Sequence, residues 1–93
     1  MSNETIAALL PMLKVDLGIT TTAYDDRLTK YLQAAVAQIE REGAVLGNEI
    51  EAQQLVIMFA AWQWRRRDTG EGMPRMVRYA LNNLILSQKM AEE

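Results

Sequence analysis

The chain contains no cysteine and no histidine. Without cysteine there is no disulfide framework and no thiolate metal site. Without histidine it lacks the commonest metal ligand and the usual general base near neutral pH. Proline occurs only twice, and no apolar run approaches the roughly 20 residues that a membrane-spanning helix needs. No basic segment followed by an apolar one stands near the N-terminus, so no secretion signal is expected and the chain is expected in the cytoplasm where it is made. The 93 residues are expected to form one domain, residues 1–93, which at this size buries about 60–65% of its unfolded surface. With disulfides and thiolate metal sites excluded, oligomerisation is the remaining source of added stability.

What the chain does have is a long dry stretch. Leu55, Val56, Ile57, Met58, Phe59, Ala60, Ala61 and Trp62 are eight consecutive apolar residues. At about 100° per residue they pass more than two helical turns with no polar side. A buried strand is the rival, since short apolar runs do not separate the two by period. Helix is favoured by Met58, Ala60 and Ala61 within the run, by the lack of Gly or Pro from Asn48 to Thr69, and by helical patterns on both sides. A helix that is apolar all round must be covered all round. The fold class expected is all-α, a compact bundle of four helical segments around this apolar third helix. If the other three helices do not wrap the run fully, part of it must meet another chain. A homo-oligomer is expected on that ground.

The remaining segments follow from spacing and punctuation. Ile6, Leu9, Leu10, Leu13 and Leu17 share one helical face, after residues 1–4 that are expected to fray. Pro11 either kinks that helix or marks the first turn of a second. A short turn before Pro11 and a firmer helix from Pro11 to Leu17 is favoured, with Gly18 as the left-handed stop. Thr22 with Asp25 forms a candidate capping box. Tyr24, Leu28, Tyr31, Leu32, Ala35, Val36 and Ile39 then trace an amphipathic helix ending at Gly43. Val45 and Leu46 are expected to tuck onto the core. Asn48 is the expected cap of the central helix, with Glu51 completing a second box. That helix should run to about Asp68. Pro74 opens the last helix at its first position, with Val77, Ala80, Leu81, Leu84, Ile85 and Gln88 facing inward and a frayed end from Met90.

Catalysis finds little support. The pairs Asp25/Asp26 and Glu40/Glu42 lie near helix ends, where capping and solvation explain them, not in a cleft. Ser2 and Ser87 lack a base partner in any recognisable arrangement. There is no glycine-rich phosphate loop after a strand. Met58, Met73 and Met76 read as gap-fillers. The chain reads as a non-enzyme without cofactor or metal.

The charge layout is more telling than the net −2. Residues 1–51 carry four basic against eight acidic residues, whereas residues 65–78 carry five arginines against Asp68 and Glu71. Arg65, Arg66 and Arg67 sit at the C-terminal end of the central helix, where the macrodipole favours cations and structure alone can account for them. Arg75 and Arg78 occupy the first turns of the last helix, whose positive end disfavours them. Five arginines about one turn suggest a docking surface for an acidic partner or a passing phosphate backbone. Trp62 and Trp64 point to nearly opposite sides of their helix. One serves the core; the other is either covered by a stacked Arg66 or Arg67 or forms an intersubunit contact. The candidate partner-binding residues are therefore Trp64, Arg65, Arg66, Arg67, Arg75 and Arg78.

Taken together, LKVDLGI (Leu13–Ile19), YDDRLTKYLQAAVAQIEREGAVL (Tyr24–Leu46), the apolar third helix and the Met73-Pro74 start of the last helix resemble a known family. It is that of the small head–tail connector, or adaptor, proteins of tailed bacteriophages, often described as possible DNA-packaging proteins. The resemblance covers about residues 12–86. It implies an all-α protomer assembling as a ring under the phage portal, extending the DNA channel and presenting a surface to the tail-side completion protein. The implied partners are copies of itself, the portal protein and that tail-side protein, with non-specific proximity to DNA in the channel. The implied location is the virion. No catalytic residue or cofactor carries over. The alternatives are a small helical DNA-binding module using Arg75, Arg78, Asn82 and Asn83, and a bacterial or prophage regulatory adaptor without a ring.

Overall fold

The structure is a computed structural model that describes residues 1–47, 49–70 and 72–92, and the side chains of all of these except 67–69 and 92. Four helices follow one another: α1 (Asn3–Leu17), α2 (Asp25–Arg41), α3 (Ile50–Thr69) and α4 (Arg75–Glu92). The chain is all-α, and α3 is the element on which the other three pack. No described helix is long and apolar enough to cross a membrane.

Helix α1 differs from the expectation at both its start and its middle. The Ser2 hydroxyl accepts from the Thr5 N–H at 3.2 Å, so the first turn is capped rather than frayed. Pro11 lies inside one helix and does not divide it. Ala7 and Pro11 are both exposed, so the carbonyl left without its helical partner is on the solvent side, where water can reach it. At the other end Gly18 takes φ 72°, with its N–H bonded to the Val15 carbonyl at 3.2 Å and the Ile19 N–H to the Lys14 carbonyl at 2.9 Å. These two bonds satisfy carbonyls that would otherwise be orphaned, and a side chain at that φ would be strained.

The capping box proposed at Thr22 does not form. Asp25 N–H bonds to the Thr22 backbone carbonyl at 3.2 Å, and Tyr24 takes the N-cap position without a side-chain bond. The Asp25 carboxylate instead lies 2.8 Å from Lys14 Nζ, a half-buried ion pair that ties the end of α1 to the start of α2. An ammonium on a packed neighbouring helix is a stronger partner for that carboxylate than a local N–H. Glu49 stands at the N-cap of α3, also without a side-chain bond. The cap expected at Asn48 lies outside the described residues.

The core closes around Val56, Phe59 and Ala60 of α3, with Ile6, Leu9 and Leu13 of α1, Leu28, Leu32 and Ile39 of α2, and Val77 and Leu81 of α4. Each large side chain buried here contributes about 1.5–3 kcal/mol relative to exposure. Ala52, Ala60 and Ala61 are buried too, and small side chains let neighbouring helices come close. The apolar run is thus sheathed by its own chain. Leu55, Val56, Phe59, Ala60, Ala61 and Trp62 are buried, while Ile57 and Met58 are partly exposed. The cover the run requires comes mostly from α1, α2 and α4, and only Ile57 and Met58 are left partly open.

Pro74 sits one position before its expected place. Its carbonyl accepts from Val77 N–H at 3.1 Å and Arg78 N–H at 3.2 Å, which makes it the residue preceding α4 rather than its first. The inner face of α4 is the expected one, with Val77 and Leu81 buried and Ala80, Leu84, Ile85 and Gln88 half-buried. Leu46 packs on the core, but the Val45 side chain is exposed; what α4 holds at Val45 is the backbone, through Gln88. The Cα trace measures 46 × 30 × 18 Å. Its thin dimension is about two helix layers, so α4, resting on α3, keeps an outward side.

Candidate protein-interaction surface

The arginines expected to form one docking surface are sent to different places. Arg65 reaches back to α1, with its guanidinium 3.7 Å from the Asp16 carboxylate and 3.5 Å from the Asp16 carbonyl. Arg78 turns to the end of α2 and donates to Glu42 at 3.3 Å. Arg66 lies over the Trp62 ring, 4.9 Å from its centroid. Arg75 is exposed and makes no ion pair among the described residues. The Arg67 side chain lies outside the described residues, as do Glu71 and the side chain of Asp68. The two pairs are solvent-accessible, so each is worth only about 0–1 kcal/mol and is exchangeable.

Both tryptophans are buried, at 7% and 8% exposure for Trp62 and Trp64. Trp62 faces the turn before α4: its Nε1–H donates to the Gly72 carbonyl at 3.0 Å, and Phe59 meets it edge-on at 5.6 Å. Arg66 covers its outer side; stacking by Arg66 or Arg67 is one of the two alternatives the sequence leaves open for the tryptophan that does not serve the core. Trp64 faces α2, where Tyr24 and Tyr31 pack edge-to-face at 5.4 and 5.8 Å. Trp64 therefore cannot serve as a surface anchor in this conformation. The second tryptophan does face elsewhere, but what it meets is a helix of its own chain.

The apolar surface lies where sequence reasoning did not place it. Met76, Tyr79, Leu86 and Met90 on α4, and Met12 and Val15 on α1, are large exposed hydrophobics. The α4 set recurs with Asn83 at alternating intervals of three and four, the signature of a single helical seam. That signal is present in the sequence, but it competes with the Val77–Leu81–Leu84 side, and nothing local says which side turns inward. Beside the seam, α3 and α4 enclose a cleft of about 380 Å³ lined by Gln54, Met58, Ala80 and Leu84 among others. A second, of about 300 Å³, holds Asp16, Met58, Trp62, Arg65, Met76 and Val77. Met58 lines both, which accounts for its partial exposure.

No protein family, curated protein or solved structure matches this chain. The surface has to be read from its own chemistry. Among the described residues no three carboxylates converge in a way that would hold a metal ion. What the surface offers is apolar side chains in a row, with cations beside them. Such an arrangement can bind another helix.

Proposed function

We propose that this chain is a non-enzymatic structural adaptor of a tailed phage, a subunit that assembles as a ring under the portal and joins head to tail. The observation that carries the proposal is the outward row of α4, where Met76, Tyr79, Leu86 and Met90 stand exposed on a helix that already has a second, buried apolar side. Single exposed apolar residues need no explanation, whereas four along one helical seam, interrupted only by Asn83, mark an interaction site. The sequence resemblance to head–tail connectors gives the assembly its identity, and an all-α protomer is what that resemblance implies. Copies of the chain, a portal protein and a tail-side completion protein are the proposed partners, and the virion is the proposed location. Electron microscopy of the purified protein, alone and with a candidate portal protein, tests this. Annular particles are expected; monomers throughout, with portal present, would refute it.

A second reading has one observation in its favour. Residues 75–91 carry Arg75, Arg78 and Lys89 with no acidic residue, and Asn82 and Asn83 are exposed. A small helical DNA-binding module would use this helix against a duplex. Binding that weakens steeply with added salt, at modest protein concentration, would favour it.

A further inference from the structure

Two outward helix faces in this molecule are complementary to one another. On α4, Met76, Tyr79, Leu86 and Met90 are 75%, 59%, 58% and 66% exposed. On α1, Met12 and Val15 are 49% and 83% exposed, and Ala8 beside them is exposed as well. The charges on the two faces are opposite. From residue 75 to residue 91 the charged residues are Arg75, Arg78 and Lys89, all basic. The exposed acids of α1 are Glu4 and Asp16, and its lysine, Lys14, is turned inward onto Asp25 at 2.8 Å.

The spacings match as well. Glu4 and Asp16 are separated by about 18 Å along α1, and Arg78 and Lys89 by about 17 Å along α4, at 1.5 Å per residue. An antiparallel arrangement sets Arg75 and Arg78 beside Asp16, and Lys89 beside Glu4. It also places the positive end of one helix by the negative end of the other. In the same register Tyr79 comes opposite Val15, and Leu86 opposite Ala8, so apolar side chains meet apolar ones. Contact of α4 with another α4 would match apolar rows too, but over residues 75–91 it offers Arg75, Arg78 and Lys89 no acidic partner, Glu92 at the helix end being the first acid on α4.

We propose that copies of this chain join head to tail, the outward face of α4 of one copy lying antiparallel on the outward face of α1 of the next. This assignment of faces rests on the self-assembling reading above. A contact between different surfaces propagates, and it closes into a ring when the rotation permits. Four exposed side chains of this size present on the order of 500 Å², at the upper range for a patch on a monomer. One such contact is small for a stable pair, which needs roughly 1,200 Å² or more in total. Closure, in which every copy is held on both sides, supplies the rest. The Arg78–Glu42 and Arg65–Asp16 pairs are exposed and weak enough to exchange partners.

The absence of native cysteine makes the test direct. Ala8→Cys and Leu86→Cys are made as separate variants, checked for helical content by circular dichroism, mixed, and oxidised. Disulfide-linked dimers are expected from the mixture and not from either variant alone, and a ladder from the double variant. Cross-linking of Leu86→Cys with itself would overturn the proposal in favour of α4-on-α4 contact. A mixture that fails to cross-link while the unaltered protein forms rings would overturn the choice of faces and leave the ring standing. Failure of both cross-links and particles would overturn both. Independently, Lys89→Glu should weaken association about threefold to fivefold, the scale of one exposed ion pair, and Glu4→Lys in the same chain should restore it. No restoration would count against the register.

Discussion

The side-chain amide of Gln88 and the backbone of Val45 bond to each other in both directions. Val45 N–H donates to Gln88 Oε1 at 2.8 Å, and Gln88 Nε2 donates to the Val45 carbonyl at 2.7 Å. A side chain near the end of α4 thereby does what a neighbouring strand would do, fixing the loop that leads into α3. The loop backbone has no helix or sheet ladder of its own there, and Gln88 satisfies both its groups.

Gln88→Ala is expected to cost about 1 kcal/mol, because water can reach the freed groups and the loss is that of exposed hydrogen bonds. The urea midpoint should fall without a change in slope, and amide exchange at Val45 should accelerate. Unchanged exchange at Val45 would show that the loop is held by something else.

Phe59→Ala should be severe. Phe59 is fully buried at the centre of α3, and truncating a buried phenylalanine costs about 3–5 kcal/mol, a large part of the stability of so small a domain. Met58→Ala, one residue away and partly exposed, should cost distinctly less. Thermal melts of the two variants check the contrast, and equal losses would contradict the described orientation of α3.

Pro11→Ala is expected to stabilise. The substitution returns an N–H to the middle of α1 and removes the steric conflict with the preceding turn, a gain of up to about 3 kcal/mol from propensity, reduced by roughly 1 kcal/mol for the greater freedom of the unfolded chain. The residue is exposed and part of one continuous helix. A rise in melting temperature is the expected result; a fall would mean that the proline serves a contact beyond the helix.

Trp62 and Arg66 should be energetically coupled. The guanidinium lies 4.9 Å from the ring centroid on the outer side, where such contacts are worth about 0.5–1 kcal/mol. A double-mutant cycle with Trp62→Phe and Arg66→Ala measures it. Trp62→Phe also loses the bond to the Gly72 carbonyl, so its single-variant cost should exceed that of Arg66→Ala. A coupling indistinguishable from zero would remove the stacking interpretation.

Much of this architecture is legible in the sequence, and the exceptions share a cause. Leu28, Leu32, Ala35 and Ile39 announce α2 because apolar residues at three and four can face only one way. Gly18 announces the end of α1 because its backbone geometry is a local property. Thr22 misled because Asp25, its presumed partner in a capping box, is held by Lys14 on another helix. Trp64 misled because the sequence shows that it points away from Trp62 but not that Tyr24 and Tyr31 are waiting there. The apolar run showed that cover was required without showing who supplied it. The spacing places Gln88 on the inner face, yet its bond to Val45 joins positions 43 residues apart and has no local signature. The arginines were close in sequence, but Arg65 and Arg78 leave in different directions, toward Asp16 and Glu42. Local rules fix what a segment is; pairing between segments fixes what its side chains are for.

The attachment of α4 to α3, with no comparably extensive packing on α1 or α2, has a mechanical consequence. The last helix is anchored near one end by the Trp62–Gly72 bond and near the other by the Gln88–Val45 bridge, with a single packed flank between. It is the segment whose departure breaks the fewest ties, so it should detach at a lower free energy than the remainder. Whatever settles on its free flank would clasp it from behind and raise that threshold. Tightening of the fold and capture of a neighbour would then be one event.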